Sequence, residues 1–363
     1  MARRWAPLEI PKGRIGHINI SEEANGQPED EDVGALMTVS LVCPVTGEPL
    51  FRDGNYLVNA THTREFPIVD GIPILLPNEQ ECIRVAKTNW LTEKTDASPL
   101  VFYNRPHDHT NYCREELQVE REDIIGLLSR LRNPHEPVLE IGSGRGALQG
   151  VSDNYVAFDY SLTALHAYIS KSHQRVCGTA EYLPFPDATF GFIYSVATLE
   201  HVPAADRAFE EIHRVLRPGG AVFLAPAWNC IQDNCEGIPV RPYSELTLRQ
   251  KFRKLTLPLR RSLVWKAAIA LPMRACRRVF WGIAGRNATR FRFCRLCPEY
   301  SKFWMSDSDA VSRLDPHEAA LFLHSRGYSV MRPGISWVRQ LLAGHAPLVA
   351  FKPPVNKIYR SVH

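Results

Sequence analysis

Pro137-Val138-Leu139-Glu140-Ile141-Gly142-Ser143-Gly144-Arg145-Gly146 is the stretch that decides the fold. Val138 to Ile141 reads as a short, fully buried strand. It breaks into glycines at three alternate positions, where backbone without a Cβ lets a ligand come close. Glu140 puts a carboxylate near the carboxyl end of that strand, the end at which open α/β sheets bind ligands. Gly142, Gly144 and Ala147 also satisfy the pattern GxGxxG/A, and an ordinary strand-to-helix turn would satisfy it as well. The surrounding sequence has to decide between the two.

Downstream, short apolar runs alternate with helical patterns. Asn154 to Asp159 is a second strand ending in a carboxylate, Gln174 to Thr179 a third, and Phe190 to Val196 a fourth. Ala204 to Leu216 has helical periodicity and is stopped by Pro218-Gly219-Gly220; Ala221 to Pro226 is a fifth strand. Asp309 to Arg326 reads as one helix, and Tyr328 to Met331 and Leu348 to Phe351 as closing strands. This alternation predicts an α/β, doubly wound, mostly parallel sheet with helices on both faces. The ends of the first three strands, carrying Glu140, Asp159 and Thr179-Ala180-Glu181, then lie along one edge. A nucleoside fits such an edge. Backbone N–H groups can meet its polar tail, and Asp159 can accept from vicinal ribose hydroxyls, although a strand-end turn would also use an aspartate.

The motifs, in this order, resemble class I S-adenosylmethionine-dependent methyltransferases. The carriers are Val138 to Gly146, Ala157 to Ser161, Gly178 to Phe190, Leu199 to Val202 and Glu211 to Gly220, about 90 residues together. The resemblance implies a Rossmann-like fold and S-adenosylmethionine as cofactor. It places Glu140, Gly142, Ser143, Gly144, Gly146, Asp159, Tyr160, Ala180, Glu181 and Val196 at the cofactor. It puts Leu199-Glu200-His201-Val202 beside the reacting groups, and His201, with a pKa suited to proton transfer, is the candidate base. A histidine that merely orders its loop is the bland alternative. Thr179 stands where the family often has an aspartate, so Glu181 or the Ala180 backbone would serve there. The short span from Gly146 to Val156 predicts a brief first helix.

Upstream, Met1 to Asp32 is polar and acidic and is expected to be mobile. Leu41 to Pro77 predicts a small β module with an Asp70-Gly71 hairpin tip. It resembles zinc-ribbon-like proteins that accompany methyltransferases. Thr46 replaces the second ligand of the Cys43 turn, and Asn59 and His62 stand in place of a second cysteine pair. A tetrahedral site needs four ligands, so no metal is expected. Asn111 to Leu131 has helical spacing. Tyr103 and Tyr112 precede it, either to cover a cofactor or simply to pack. His107-Asp108-His109 is a poor metal pattern.

The boundaries read as 1–35, a mobile N-terminus; 36–77, a ribbon-like module; 78–133, a linker and helical lead-in; 134–230, the first part of the core; 231–305, a helical basic cap insertion; and 306–363, the rest of the core.

The net charge of +4 hides an asymmetry: Arg241 to Lys302 holds 16 Lys/Arg and 2 Asp/Glu. The same stretch is rich in large apolar residues, and Pro258 and Pro272 are expected to divide it into short helices. Three readings are open. The apolar side packs on the sheet domain with the cations in water; the cap draws in an anionic or lipid-linked acceptor; or it binds nucleic acid. No recognisable motif supports the last.

Apolar residues make up 45% of the chain, normal for a real core. Met1 to Ile10 lacks a signal-type apolar run, and no run reaches the roughly 18 residues of a spanning helix. Nine cysteines, odd in number, suggest free thiols in a reducing cytoplasm, and the basic cap would allow a peripheral location at the inner membrane surface. Cys230, Cys235, Cys294 and Cys297 could alternatively form a zinc site.

The expected function is methyl transfer to an O, N or C nucleophile of a small or medium-sized metabolite, natural product or lipid-linked acceptor. The rivals are a methyltransferase acting on a peptide, protein or RNA, and a cofactor-binding protein without turnover.

Overall fold

A computed structural model describes residues 39–88, 98–105, 117–131, 136–283, 289–301, 305, 307–331 and 346–354. The acidic N-terminal stretch, His107, His109 and Tyr112 lie outside these residues.

Four short strands come first: β1 (Leu50–Asp53), β2 (Tyr56–Asn59), β3 (Glu65–Val69) and β4 (Ile72–Leu75). Asp70 and Gly71, both at positive φ, make the tight turn between β3 and β4. This is the geometry for which Asp-Gly is selected. After helices α1 (Glu79–Lys87), α2 (Pro99–Asn104) and α3 (Gln118–Leu128) come β5 (Val138–Ile141) and β6 (Tyr155–Asp159). Helix α4 (Leu162–Tyr168), β7 (Gln174–Gly178), β8 (Phe190–Val196), helix α5 (Ala205–Val215) and β9 (Leu216–Ala225) complete the first half. The insertion contributes α6 (Gln232–Cys235), α7 (Leu248–Arg261), α8 (Leu263–Ile283) and β10 (Cys294–Arg295). Strand β11 (Ser312–Arg313), helix α9 (Pro316–Ser325), β12 (Ser329–Met331) and β13 (Leu348–Phe351) follow.

Among the described residues one sheet has the order β1-β2-β3-β4-β7-β6-β5-β8-β9-β13-β12. From β4 through β9 all neighbours run parallel, and β13 and β12 close the sheet antiparallel. The chain moves outward one way from β5 through β6 and β7, and the other way through β8 and β9. The carboxyl ends of β5 and β8 are therefore the switch point of the sheet.

The N-terminal strands continue this sheet. β4 pairs with β7 at Ile74↔Cys177 and Leu75↔Gly178. Gln174 holds Val39 through both its amide groups, at 2.9 Å each, and Asp70 reaches His166 at 3.0 Å. Phe66, Ile72 and Ile74 share one apolar core with Val138, Phe158 and Phe192.

Four elements differ from the sequence reading. Arg145 to Val151 forms turns, with no helix after the glycine loop. Strand β9 starts at Leu216, because Pro218-Gly219-Gly220 is absorbed as an irregularity opposite Phe190 and Phe192. The Asp309–Arg326 helix begins only at Pro316, where Asp315 caps it by accepting from His317 N at 2.8 Å. A cap residue followed by proline at the first helical position is a start signal. Finally, α7 and α8 run through Pro258 and Pro272, and the break falls between them at Ser262. A single proline removes one hydrogen bond and bends a helix without necessarily ending it. Ser262 is extended, and its Oγ accepts from Trp265 N at 3.2 Å.

Candidate active site

The glycine loop sits at the switch point. Gly142, Gly144 and Gly146 all have positive φ. At Gly142 an added Cβ would lie 2.0 Å from Thr198 Oγ1, so the loops after β5 and β8 can only touch through glycine. At Gly144 an added Cβ would meet nothing within 4 Å, leaving that backbone open. Ser143 Oγ is buried and has no hydrogen-bond partner among the described residues. Asp159, at the end of β6, accepts from Gly144 N at 2.7 Å and from Ser161 N at 2.8 Å. Burial raises its pKa, and these backbone donors oppose the rise.

Glu140 takes a different place. It is buried inside the sheet layer and accepts hydrogen bonds from Tyr155 and Tyr194. The same Tyr194 hydroxyl lies 3.2 Å from Leu148 O, so its one proton is shared between these two acceptors. Desolvation raises the Glu140 pKa to about 8, against the lowering effect of the two tyrosines. Glu181 accepts from Ala204 N at 2.5 Å and from Thr179 Oγ1 at 3.3 Å, tying the β7 end to the start of α5. Ala180 is buried beside it, and Val196, partly buried, ends β8. Tyr160 is largely enclosed, and burial raises its pKa.

Thr198 leads directly into a 3-10 turn at Leu199–His201. His201 Nδ1 lies 3.3 Å from Asp309 Oδ2, and its Nε2 lies 3.8 Å from Glu200 Oε1. Both carboxylates are fully buried. Burial pulls the His201 pKa down, but Asp309 and Glu200 outweigh it and hold the pKa above its ordinary value. Glu200 Oε1 accepts from Ala227 N at 3.0 Å.

Tyr103 joins the two halves of the site. Its hydroxyl donates to Asp309 Oδ2 at 2.8 Å. Its ring meets Tyr160 edge-on at 6.2 Å and His201 at 6.1 Å between centroids. Helix α2 is fixed across the strand ends, because Asn104 Oδ1 accepts from Leu162 N at 2.9 Å and Asn104 O from Thr163 Oγ1 at 2.6 Å. Tyr300, which follows β10, adds a further ring 6.3 Å from Tyr103.

Sequence reasoning singled out His201 and weighed Tyr103, and it did not name Asp309, Tyr300 or Thr198 as residues of this cluster. Asp309 was read as the first residue of a helix. It instead lies in a turn, just before a segment that Val311 N and Ser312 Oγ bind to Glu200 O and Val202 O, at 2.9 and 2.7 Å. Only the Asp315-Pro316 start signal could have separated it from the helix.

Metal sites are not apparent: among the described residues no group of three or more His, Cys, Asp or Glu is arranged to hold a metal ion. Cys230 and Cys235 are buried, and Cys294 and Cys297 are exposed. In the ribbon-like turns, Asn59 Oδ1 accepts from Thr63 N and Arg64 N, and Cys43 Sγ accepts from Thr46 N.

Residues 139–224 match the family model described as a methyltransferase domain. The chain is 30% identical over 123 residues to a sterol 24-C-methyltransferase of Schizosaccharomyces pombe, covering 29% of this chain and 31% of that protein. It is 30% identical over 132 residues to an uncharacterized protein of Methanocaldococcus jannaschii, covering 34% of this chain and 58% of that one. It is 32% identical over 113 residues to the malonyl-[acyl-carrier protein] O-methyltransferase of Pseudescherichia vulneris, covering 29% and 45%. The chain thus spans less than two thirds of the length of each of these relatives.

Proposed function

We propose that this protein transfers a methyl group from S-adenosylmethionine to a nucleophile of a small or lipid-like acceptor. The observation that carries the reading is the pairing of His201 with buried Asp309 beside the open glycine loop and Asp159. When bound, the cofactor supplies an electrophilic methyl group on a good leaving group. The residues present fit it. Gly144 leaves open space where a Cβ would stand, Ser143 Oγ is a buried group in need of a partner, and each Asp159 oxygen retains a lone pair for a ribose hydroxyl. Ala180, Glu181, Tyr160 and Val196 would line the same edge.

The chain's own contribution is positioning and proton transfer. Neutral His201 takes the proton of an acceptor hydroxyl or amine. Asp309 stabilises the resulting imidazolium, and Tyr103 fixes Asp309. The rings of Tyr103, Tyr160 and Tyr300 exclude water, which strengthens these charge interactions. Glu140 is assigned to support of the loop from beneath, through Tyr194 and Leu148 O. The acceptor class is drawn from two relatives whose names give a sterol and a malonyl-[acyl-carrier protein] as what they methylate. The strands before β5 are read as a metal-free relative of the zinc ribbon, its turn held by Asn59 rather than by a ligand.

Calorimetric titration with S-adenosylhomocysteine tests the site. Asp159→Ala is expected to weaken binding by about 1.5–3 kcal/mol, the range for a hydrogen bond to a charged group. Unchanged affinity in a folded variant would overturn the assignment.

A further inference from the structure

Helices α7 and α8 are turned inside out relative to an ordinary surface helix. Four of their arginines face the protein. Arg253 and Arg260 reach buried Asp233 at 2.5 and 2.7 Å, and Arg253 also reaches Glu236 at 2.9 Å. Arg274 and Arg277 reach Asp315 and Glu318, both at 3.0 Å, and so fasten α8 to α9. The apolar residues face outward. On α7, Leu248, Phe252, Leu255 and Leu259 recur at helical spacing and are 58–85% exposed. On α8, Trp265, Ile269, Met273, Phe280 and Ile283 do the same at 40–78%. Contiguous exposed apolar surface of this kind marks a binding face.

Charge selects the occupant. Neither helix contains an aspartate or glutamate, while together they hold ten lysines and arginines. Arg249, Lys251 and Arg261 form no ion pair among the described residues, and Arg249 and Arg261 are exposed. A second copy docked through the same face would bring these cations together. An anionic lipid surface would neutralise them while its acyl boundary takes the apolar stripe, the arrangement of helices that lie in the membrane interface. No helix among the described residues is long and apolar enough to cross a membrane, so the contact is interfacial.

We propose that the outward face of α7 and α8 binds the surface of an anionic bilayer. Residues after α8 return to the site, where Tyr300 meets Tyr103, so this face would bring a lipid-like acceptor near His201. Membrane binding itself does not rest on methyl transfer, and it is read without cofactor.

The test is flotation of the full chain with vesicles of phosphatidylcholine alone or mixed equally with phosphatidylglycerol. The wild-type chain is expected to float with the anionic vesicles, to lose that binding as salt rises, and to remain behind with phosphatidylcholine alone. The double variant Phe252→Ser, Phe280→Ser is expected to reduce partition at least tenfold. Arg249→Glu with Lys251→Glu should do likewise at low salt, and both variants should keep the circular dichroism spectrum of the wild type. Wild-type chain that stays unbound, or folded variants that bind as well as wild type, would overturn the proposal. So would a dimer, seen by analytical ultracentrifugation, that the apolar variants convert to monomer. Titration with S-adenosylhomocysteine on the same samples reports the cofactor site separately.

Discussion

The strand-end site and the helical cap handle charge in opposite ways. Around His201 the core buries carboxylates and meets each with a nearby donor: Asp159 with backbone N–H groups, Glu140 with tyrosines, Glu200 with Ala227 N and Asp309 with Tyr103. Outside the site its apolar residues point inward, as in α5, where Ala208, Phe209, Ile212 and Val215 pack against the sheet. The cap sends arginines inward and leaves its apolar stripe outside. Both regions have helical periodicity of the same kind. A hydrophobic stripe tells which residues share a face, whereas the surface opposite decides whether that face turns in. Here the underlying surface offers Asp233, Glu236, Asp315 and Glu318, so the cationic side docks.

The largest expected effect breaks the core side of the comparison. His201→Gln should lower transfer to an acceptor that must lose a proton by about 10²–10⁴-fold, with S-adenosylhomocysteine affinity unchanged. Asp309→Asn sharpens the test. The carboxylate holds the imidazole protonated to higher pH, so removing it should move the acid limb of the pH–rate profile to lower pH. A limb that stays in place would show that Asp309 only packs.

The cap side comes next. Asp233→Ala leaves Arg253 and Arg260 without their shared carboxylate and is expected to cost about 2–4 kcal/mol of the docking of α7 on α6. That figure is discounted because both arginines are partly exposed. Limited proteolysis should then cut between α6 and α8 first, while cofactor binding persists. If the core melts together with the cap, the two regions are one cooperative unit.

A smaller effect concerns how the core tolerates a buried acid. The folded pKa of Glu140, about 8, lies above its unfolded value. The folded state therefore holds the extra proton. The stability this contributes is complete below pH 4.5, falls as pH rises, and is gone above about 8. Glu140→Gln keeps a hydrogen-bonding group without the ionisation, so it should flatten that fall and leave the variant more stable at pH 8 by on the order of 2–4 kcal/mol. Thermal melts across pH 4–9 measure it. The smallest effect is expected in the ribbon-like turns, where Cys43→Ser should leave the zinc content of purified protein at zero. Zinc lost on that substitution would mean that the turn is a metal site.

The parallel core was legible because its signals are local. Strands β5, β8 and β13 fall where the apolar runs end, and β6 and β7 agree to one residue. Positions such as Gly142 announce themselves because only glycine tolerates both positive φ and the contact with Thr198. The cap's existence was legible from its charge and apolar content, but its helix break was placed at the prolines instead of Ser262. Helix α9 was drawn too long: Ala310, Val311 and Leu314 are buried without being helical, and Val311 N binds Glu200 O beside the His201 turn.

The sequence by itself determined which residues must lie at strand ends, because strand, glycine turn and carboxylate follow each other within a few positions and the parallel sheet aligns them. Tertiary structure alone decided three further things. It added β1 to β4 to the edge of the main sheet through the β4–β7 pairing. It brought Asp309 and Tyr103 to His201 across more than a hundred residues on one side and almost a hundred on the other. It also turned the arginines of α7 and α8 toward the protein. Each depends on what lies opposite a face or an edge, and periodicity along the chain carries no information about that partner.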